Sequence, residues 1–184
     1  MALTKTPICN FDEKAHDFNL KGVDNKFYKL DNCLGKNGTL IMFICNHCPY
    51  VKAIIKELVE DIKEIKKNGI ETVAIMSNDT KNYPEDSFEN MLSFSKENNF
   101  EFPYLFDDNQ EIAKKFGAVC TPDFFGYNKL LKLQYRGRFR ELKNLTPIKN
   151  GESDLKKAML EISKTQNGPK EQIPSMGCNI KWIK

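Results

Sequence analysis

One stretch constrains this chain more than any other: Thr39-Leu40-Ile41-Met42-Phe43-Ile44-Cys45, joined directly to Asn46-His47-Cys48-Pro49. An apolar run of strand length, uninterrupted by polar residues, reads as a strand buried on both faces in the middle of a sheet. Beyond Pro49 the period changes. Val51, Ile54, Ile55, Leu58, Ile62 and Ile65 recur at helical spacing with Lys and Glu between them, which marks an amphipathic helix. Pro49 suits its first turn and Asn68-Gly69 its end. A buried strand running straight into a helix calls for layers of helix on sheet.

The rest of the chain extends that pattern. Phe18 to Leu20 and Lys26 to Leu30 flank Gly22-Val23-Asp24-Asn25 as a short hairpin. Ile70 to Met76 reads as a second buried strand. Asp86 is placed to cap a helix carrying Phe88, Met91, Leu92 and Ser95, with Glu89 completing a capping box. Tyr104 to Phe106 is a short strand; Asp108 then opens a brief helix that Gly117 ends. Phe124 to Tyr127 and Leu131 to Tyr135 form a hairpin about Asn128-Lys129. Leu155, Ala158, Met159 and Ile162 mark a last helix, and residues 170–184 read as a loop-like tail packed on the body. The order hairpin, β-α-β-α-β-α, β-β-α predicts one α/β domain over residues 1–184, three-layered, with a mixed central sheet.

The chemistry gathers at Cys45 and Cys48. Cys-x-x-Cys alone is compatible with a redox pair, half a zinc site or chance. Placement sharpens it: Cys45 ends a central strand and Cys48 opens a helix, where backbone N–H groups and the helix dipole favour negative charge. A thiolate at Cys45 is therefore expected at a lowered pKa, with Cys48 in reach to resolve a mixed disulfide. His47, between the sulfurs in sequence, would stabilise that thiolate and make the pair more oxidising. Thr121-Pro122 before a strand is the second component, because a proline there suits an edge or a special turn. Cys178, in the tail, is a candidate for exchange with the central pair or with Cys120; Cys120 is either a further redox thiol or a small core residue. Cys9 and Cys33 read as structural.

Composition narrows the alternatives. The 184 residues hold 28 basic and 25 acidic side chains, a net charge of +3, which implies no strong field for nucleic acid. Arg136, Arg138 and Arg140 are the three arginines and read as one exposed strand face, with an anion site as the alternative. No secretory pattern is visible in residues 1–11, and the longest apolar run is too short to span a membrane. A cytoplasmic location is expected, where close Cys pairs are more often catalytic or metal-binding than structural.

Several segments together resemble a known family. The strand–Cys-x-x-Cys–helix unit, with Thr121-Pro122 before a later strand, resembles the thioredoxin fold. The hairpin Asp17-Phe18-Asn19-Leu20 through Lys26-Phe27-Tyr28-Lys29-Leu30 is similar to that of the alkyl hydroperoxide reductase/thiol-specific antioxidant (redoxin) branch. Residues 43–51 (FICNHCPYV), Ser77-Asn78-Asp79 with Tyr83-Pro84-Glu85-Asp86, Cys120-Thr121-Pro122-Asp123-Phe124-Phe125, and Gly177-Cys178-Asn179-Ile180-Lys181-Trp182 resemble a bacterial subgroup of that branch, labelled thioredoxin-family or thiol–disulfide isomerase. The resemblance implies that Cys45 attacks, that Cys48 resolves, and that Pro122 is a cis-proline with the Thr121 backbone offered to substrate. It also implies a strand-and-helix insertion over residues 77–102. Two departures stand out. Met42 occupies the position of the peroxidatic threonine, and Ile44 that of the usual tryptophan. The leading expectation is thus a thiol–disulfide oxidoreductase of reductase or isomerase type. It needs no cofactor, acts on a protein or small-molecule disulfide, is regenerated by a thiol reductant, and is a monomer or weak dimer. A thiol peroxidase is one alternative. A zinc or copper protein using Cys45, Cys48, Cys120 and Cys178 is the other.

Overall fold

The computed structural model describes residues 3–184; residues 1 and 2, at the head of the stretch read for a secretory pattern, lie outside the described residues. In chain order the elements are β1 (Leu3–Lys5), β2 (Asn19–Gly22), β3 (Phe27–Lys29), β4 (Gly38–Phe43), α1 (Pro49–Lys67), β5 (Ile70–Met76), α2 (Phe88–Glu97) and β6 (Tyr104–Phe106). Then come α3 (Glu111–Phe116), β7 (Cys120–Thr121), β8 (Asp123–Asn128), β9 (Leu133–Tyr135), β10 (Leu142–Lys143), β11 (Thr146–Pro147), α4 (Asp154–Thr165) and β12 (Met176–Asn179). The main sheet has the order β3-β2-β6-β5-β4-β8-β9. It is mixed: β5 runs parallel to β4 and to β6, whereas β8 runs antiparallel to β4.

The apolar run at 39–45 is central because it needs cover on two sides. Alternation along β4 sends Leu40 and Met42 to one core, Ile41 and Phe43 to the other. β5 repeats this, with Ala74 and Met76 on the first face and Val73 and Ile75 on the second. α1 covers the first face with Val51, Ile54, Ile55, Leu58, Val59, Ile62 and Ile65, all buried. Each large aliphatic side chain so buried contributes roughly 1.5–3 kcal/mol. α4 and α2 share that core through Met159, Ile162, Met91 and Phe94, while α3 and the β2–β3 hairpin close the opposite one. The result is the expected three-layer α/β arrangement. The strand-and-helix insertion expected over 77–102 is corrected: that segment holds the helix α2 but no strand, the next strand being β6 of the main sheet.

Four local expectations are corrected. Ser87, not Asp86, caps α2, accepting a hydrogen bond from the Asn90 N–H, because the Asp86 carboxylate is occupied elsewhere. Asp107, not Asp108, accepts the N–H groups of Ile112 and Ala113 at the start of α3. The arginines are not an exposed strand face. Arg136 and Arg140 are buried: the first bonds Asp123 (3.0 Å) and the Gly117 carbonyl (2.7 Å), the second Glu57 and the carbonyls of Ile148 and Gly151. Burial pushes the Asp123 carboxyl up to about 6 although Arg136 pulls it down. Such arginines consume their charge inside the fold. Finally, the tail is not all loop. β12 lies between β1 and β7, antiparallel to both.

Candidate active site

Ile44 still bonds β5 through its N–H (3.1 Å to Ile75 O), and the chain then leaves the sheet. Cys45 is the next residue, and Cys48 is the N-cap residue of α1 with Pro49 in the first turn. This strand-to-helix crossing places both sulfurs close together, each against Thr121. Both are sealed: Cys45 is 1% and Cys48 0% exposed.

Thr121, in β7 just before β8, closes the site. Its peptide bond to Pro122 is cis. The Thr121 hydroxyl lies 3.3 Å from Cys45 Sγ, and its carbonyl lies 3.1 Å from Cys48 Sγ. Cys178 Sγ stands 3.1 Å from Cys48 Sγ. Cys120 does not join them: its thiol turns to the Pro122 carbonyl at 3.6 Å, and burial pushes its pKa far up. Cys33 is buried and Cys9 half-buried, each raised to about 11 by burial.

His47 does not point into solvent. Its Nδ1 lies 2.6 Å from Asp86 Oδ2 and 4.0 Å from Cys45 Sγ, and its ring stacks on Tyr83. Asp86 is fully buried and saturated with donors. Its Oδ1 accepts the N–H groups of Asn46 (2.8 Å) and His47 (3.3 Å), and its Oδ2 accepts Asn78 Nδ2 (2.7 Å). The bond from Asp86 raises the His47 pKa. Asp86 itself stays below the usual carboxylate range: burial pushes it up, but His47, Asn78 and the Asn46 N–H outweigh that. Tyr104 donates to Asn46 Oδ1 at 2.9 Å and steadies the same turn.

The charge on the pair differs from the expectation. Cys48 is lowered to about 5, because Cys45 and then Cys178 supply hydrogen bonds to its thiolate, against the cost of burial. Cys45 is raised by giving its hydrogen bond to Cys48, by burial and by the facing Asp86 carboxylate. The two cysteines therefore share one proton and one negative charge. Cys48 Sγ also lies against the Thr121 carbonyl and Cys178 Sγ.

Sequence reasoning misses Asp86 as a site residue because its spacing before Phe88 suits a cap. The available signal is its place in the segment Tyr83-Pro84-Glu85-Asp86. Cys45 Sγ, His47 Nδ1 and an Asp86 oxygen lie within 4.8 Å of one another, the sole such cluster of metal-ligating groups among the described residues. The four cysteines suggested for zinc or copper do not gather as one ligand set. No helix among the described residues is long and apolar enough to cross a membrane.

This architecture is that of a thioredoxin-like protein. It superposes on an exposed lipoprotein thioredoxin from Streptococcus pneumoniae with TM-score 0.57 and 23% identity, covering 81% of this chain and 98% of that one. Over residues 11–140 it matches the AhpC/TSA family, and the chain belongs to that family. It is also similar across its length to an uncharacterized conserved protein from Geobacillus kaustophilus: 38% identity, TM-score 0.94, covering 100% of this chain and 97% of that one. A hypothetical protein from Sinorhizobium meliloti 1021 is similar at 33% identity and TM-score 0.90, with 98% of each chain covered. No curated protein matches the chain.

Proposed function

We propose that this protein is a thiol–disulfide oxidoreductase whose working dithiol is Cys45 and Cys48. The observation that carries the reading is the convergence of the two sulfurs on Thr121 at the start of α1, Cys45 on its hydroxyl and Cys48 on its carbonyl. Cys45 lies on the side of the partly buried His47, and it is the sulfur that meets a substrate disulfide. As Cys45 attacks, its proton passes to the neighbouring Cys48. One substrate sulfur leaves as a thiolate, the other stays bonded to Cys45, and the proton now on Cys48 goes to that second sulfur when Cys48 displaces it. Cys48 then attacks Cys45, forms the Cys45–Cys48 disulfide and releases the second thiol. A thiol reductant, such as a reducing cytoplasm supplies, restores the dithiol.

The Thr121 hydroxyl, 3.3 Å from Cys45 Sγ, supports one second reading. It offers a peroxide oxygen the hydrogen bond that Met42 does not. Insulin reduction by dithiothreitol beside hydrogen peroxide consumption tests both. Catalysed insulin reduction with little peroxide turnover is the expected result; the reverse would overturn the proposal in favour of a peroxidase. Cys48→Ser should also accumulate a mixed disulfide on Cys45, because the second attack is removed.

A further inference from the structure

β12 meets β7 as an extended peptide meets a sheet edge. Cys178 stands opposite Thr121 and Asn179 opposite Cys120. The approach is unusually close. A Cβ at Gly177 would lie 2.0 Å from the Thr121 carbonyl oxygen, a distance that residue 177 avoids only by having none. This seat brings Cys178 Sγ to 3.1 Å from Cys48 Sγ. A disulfide of about 2.05 Å then needs the two sulfurs to close by only about 1 Å. The strand also seals the dithiol, since Cys178 is itself 3% exposed.

We propose that Cys178 is the third thiol of the redox centre, attacking Cys48 of the Cys45–Cys48 disulfide to form a Cys48–Cys178 disulfide and set Cys45 free. The inference rests on the oxidoreductase reading above. The step balances within the chain. The Cys48–Cys178 bond forms as the Cys45–Cys48 bond breaks, the Cys45 sulfur leaves with the electron pair, and it takes up the proton that Cys178 gives. No external oxidant is consumed. Two electrons' worth of oxidation moves from the substrate-facing sulfur to the tail, and a thiol reductant then removes it there. In the reduced protein the Cys178 thiol is instead in hydrogen-bond contact with Cys48, and burial and then that contact push it up to about 12, keeping it protonated.

Disulfide mapping of the intact chain tests this. The protein is oxidised with glutathione disulfide, its free thiols are alkylated, and it is digested with trypsin. Cys45 and Cys48 share peptide 37–52, and Cys178 lies on peptide 171–181. The expected result is a reducible link between these two peptides, kept in Cys45→Ser and lost in Cys48→Ser. Gly177→Ala, which leaves every thiol in place but lifts the strand from Thr121, should reduce the linked fraction several-fold. An oxidised wild type with Cys45–Cys48 closed and Cys178 fully alkylated overturns the inference and leaves the oxidoreductase reading standing. A wild type that forms no disulfide in peptide 37–52 and no link from it overturns both.

Discussion

Replacing Asp86 by Asn tests the arrangement around His47. The change keeps the shape of the side chain and the Oδ1 acceptor for the Asn46 and His47 N–H groups. It removes the charge and turns Oδ2 into an NH2 that faces Asn78 Nδ2, so two donors meet where one pair stood. A buried donor left without a partner costs about 1–3 kcal/mol, and the charge-assisted bond to His47 is lost as well. Asp86→Asn should therefore destabilise the protein by roughly 2–4 kcal/mol in urea unfolding. The pH dependence comes from the two shifts. Asp86 is depressed in the folded state, so its contribution is present above about pH 4, its unfolded pKa, and fades as pH falls through the lower folded value. His47 is raised, so its contribution is complete below about pH 6.5 and fades as pH rises through the higher folded value. The loss in Asp86→Asn should thus be largest between roughly pH 4 and 6.5. With two histidines in the chain, His47 can be tracked directly by NMR. Its midpoint should fall in the variant, because burial, which lowers it, loses its main opponent. An unchanged His47 midpoint, or a stability loss below about 0.5 kcal/mol, would refute the reasoning.

Three more outcomes are expected from the same geometry. Thiolate absorbance near 240 nm should show a step with a midpoint near 5, lost in Cys48→Ser and moved upward in Cys45→Ser; its survival in Cys48→Ser would place the charge on Cys45 instead. The reduction potential should lie above the roughly −270 mV of thioredoxin and fall in His47→Pro, measured by equilibration with glutathione. Arg136→Ala should cost about 3–5 kcal/mol, because it strands the buried Asp123 carboxylate, and that cost should shrink in acid as Asp123 is protonated.

Sequence-based expectation and structure part company for identifiable reasons. β4 and α1 are readable because burial on two faces and burial on one face leave different periods in the chain. Cys45, Cys48 and Thr121-Pro122 are readable because their spacing and place at element ends carry chemical meaning. Arg136 and Arg140 mislead because a lone arginine in sequence shows nothing of Asp123 or Glu57, which reach them from 13 and 83 positions away. β12 is invisible because Met-Gly-Cys-Asn has no strand propensity; its backbone is recruited by the edges of β1 and β7 on either side.

The layered α/β fold and the Cys45–Cys48 pair at a strand-to-helix junction are thus legible in the amino-acid sequence alone, since both rest on local periodicity and spacing. That Asp86 holds His47 and that Cys178 stands at the dithiol's door emerge only once the chain is folded. Each of these depends on groups brought together across 39 to 130 positions of chain, and hydrogen bonds at that range leave no period to read.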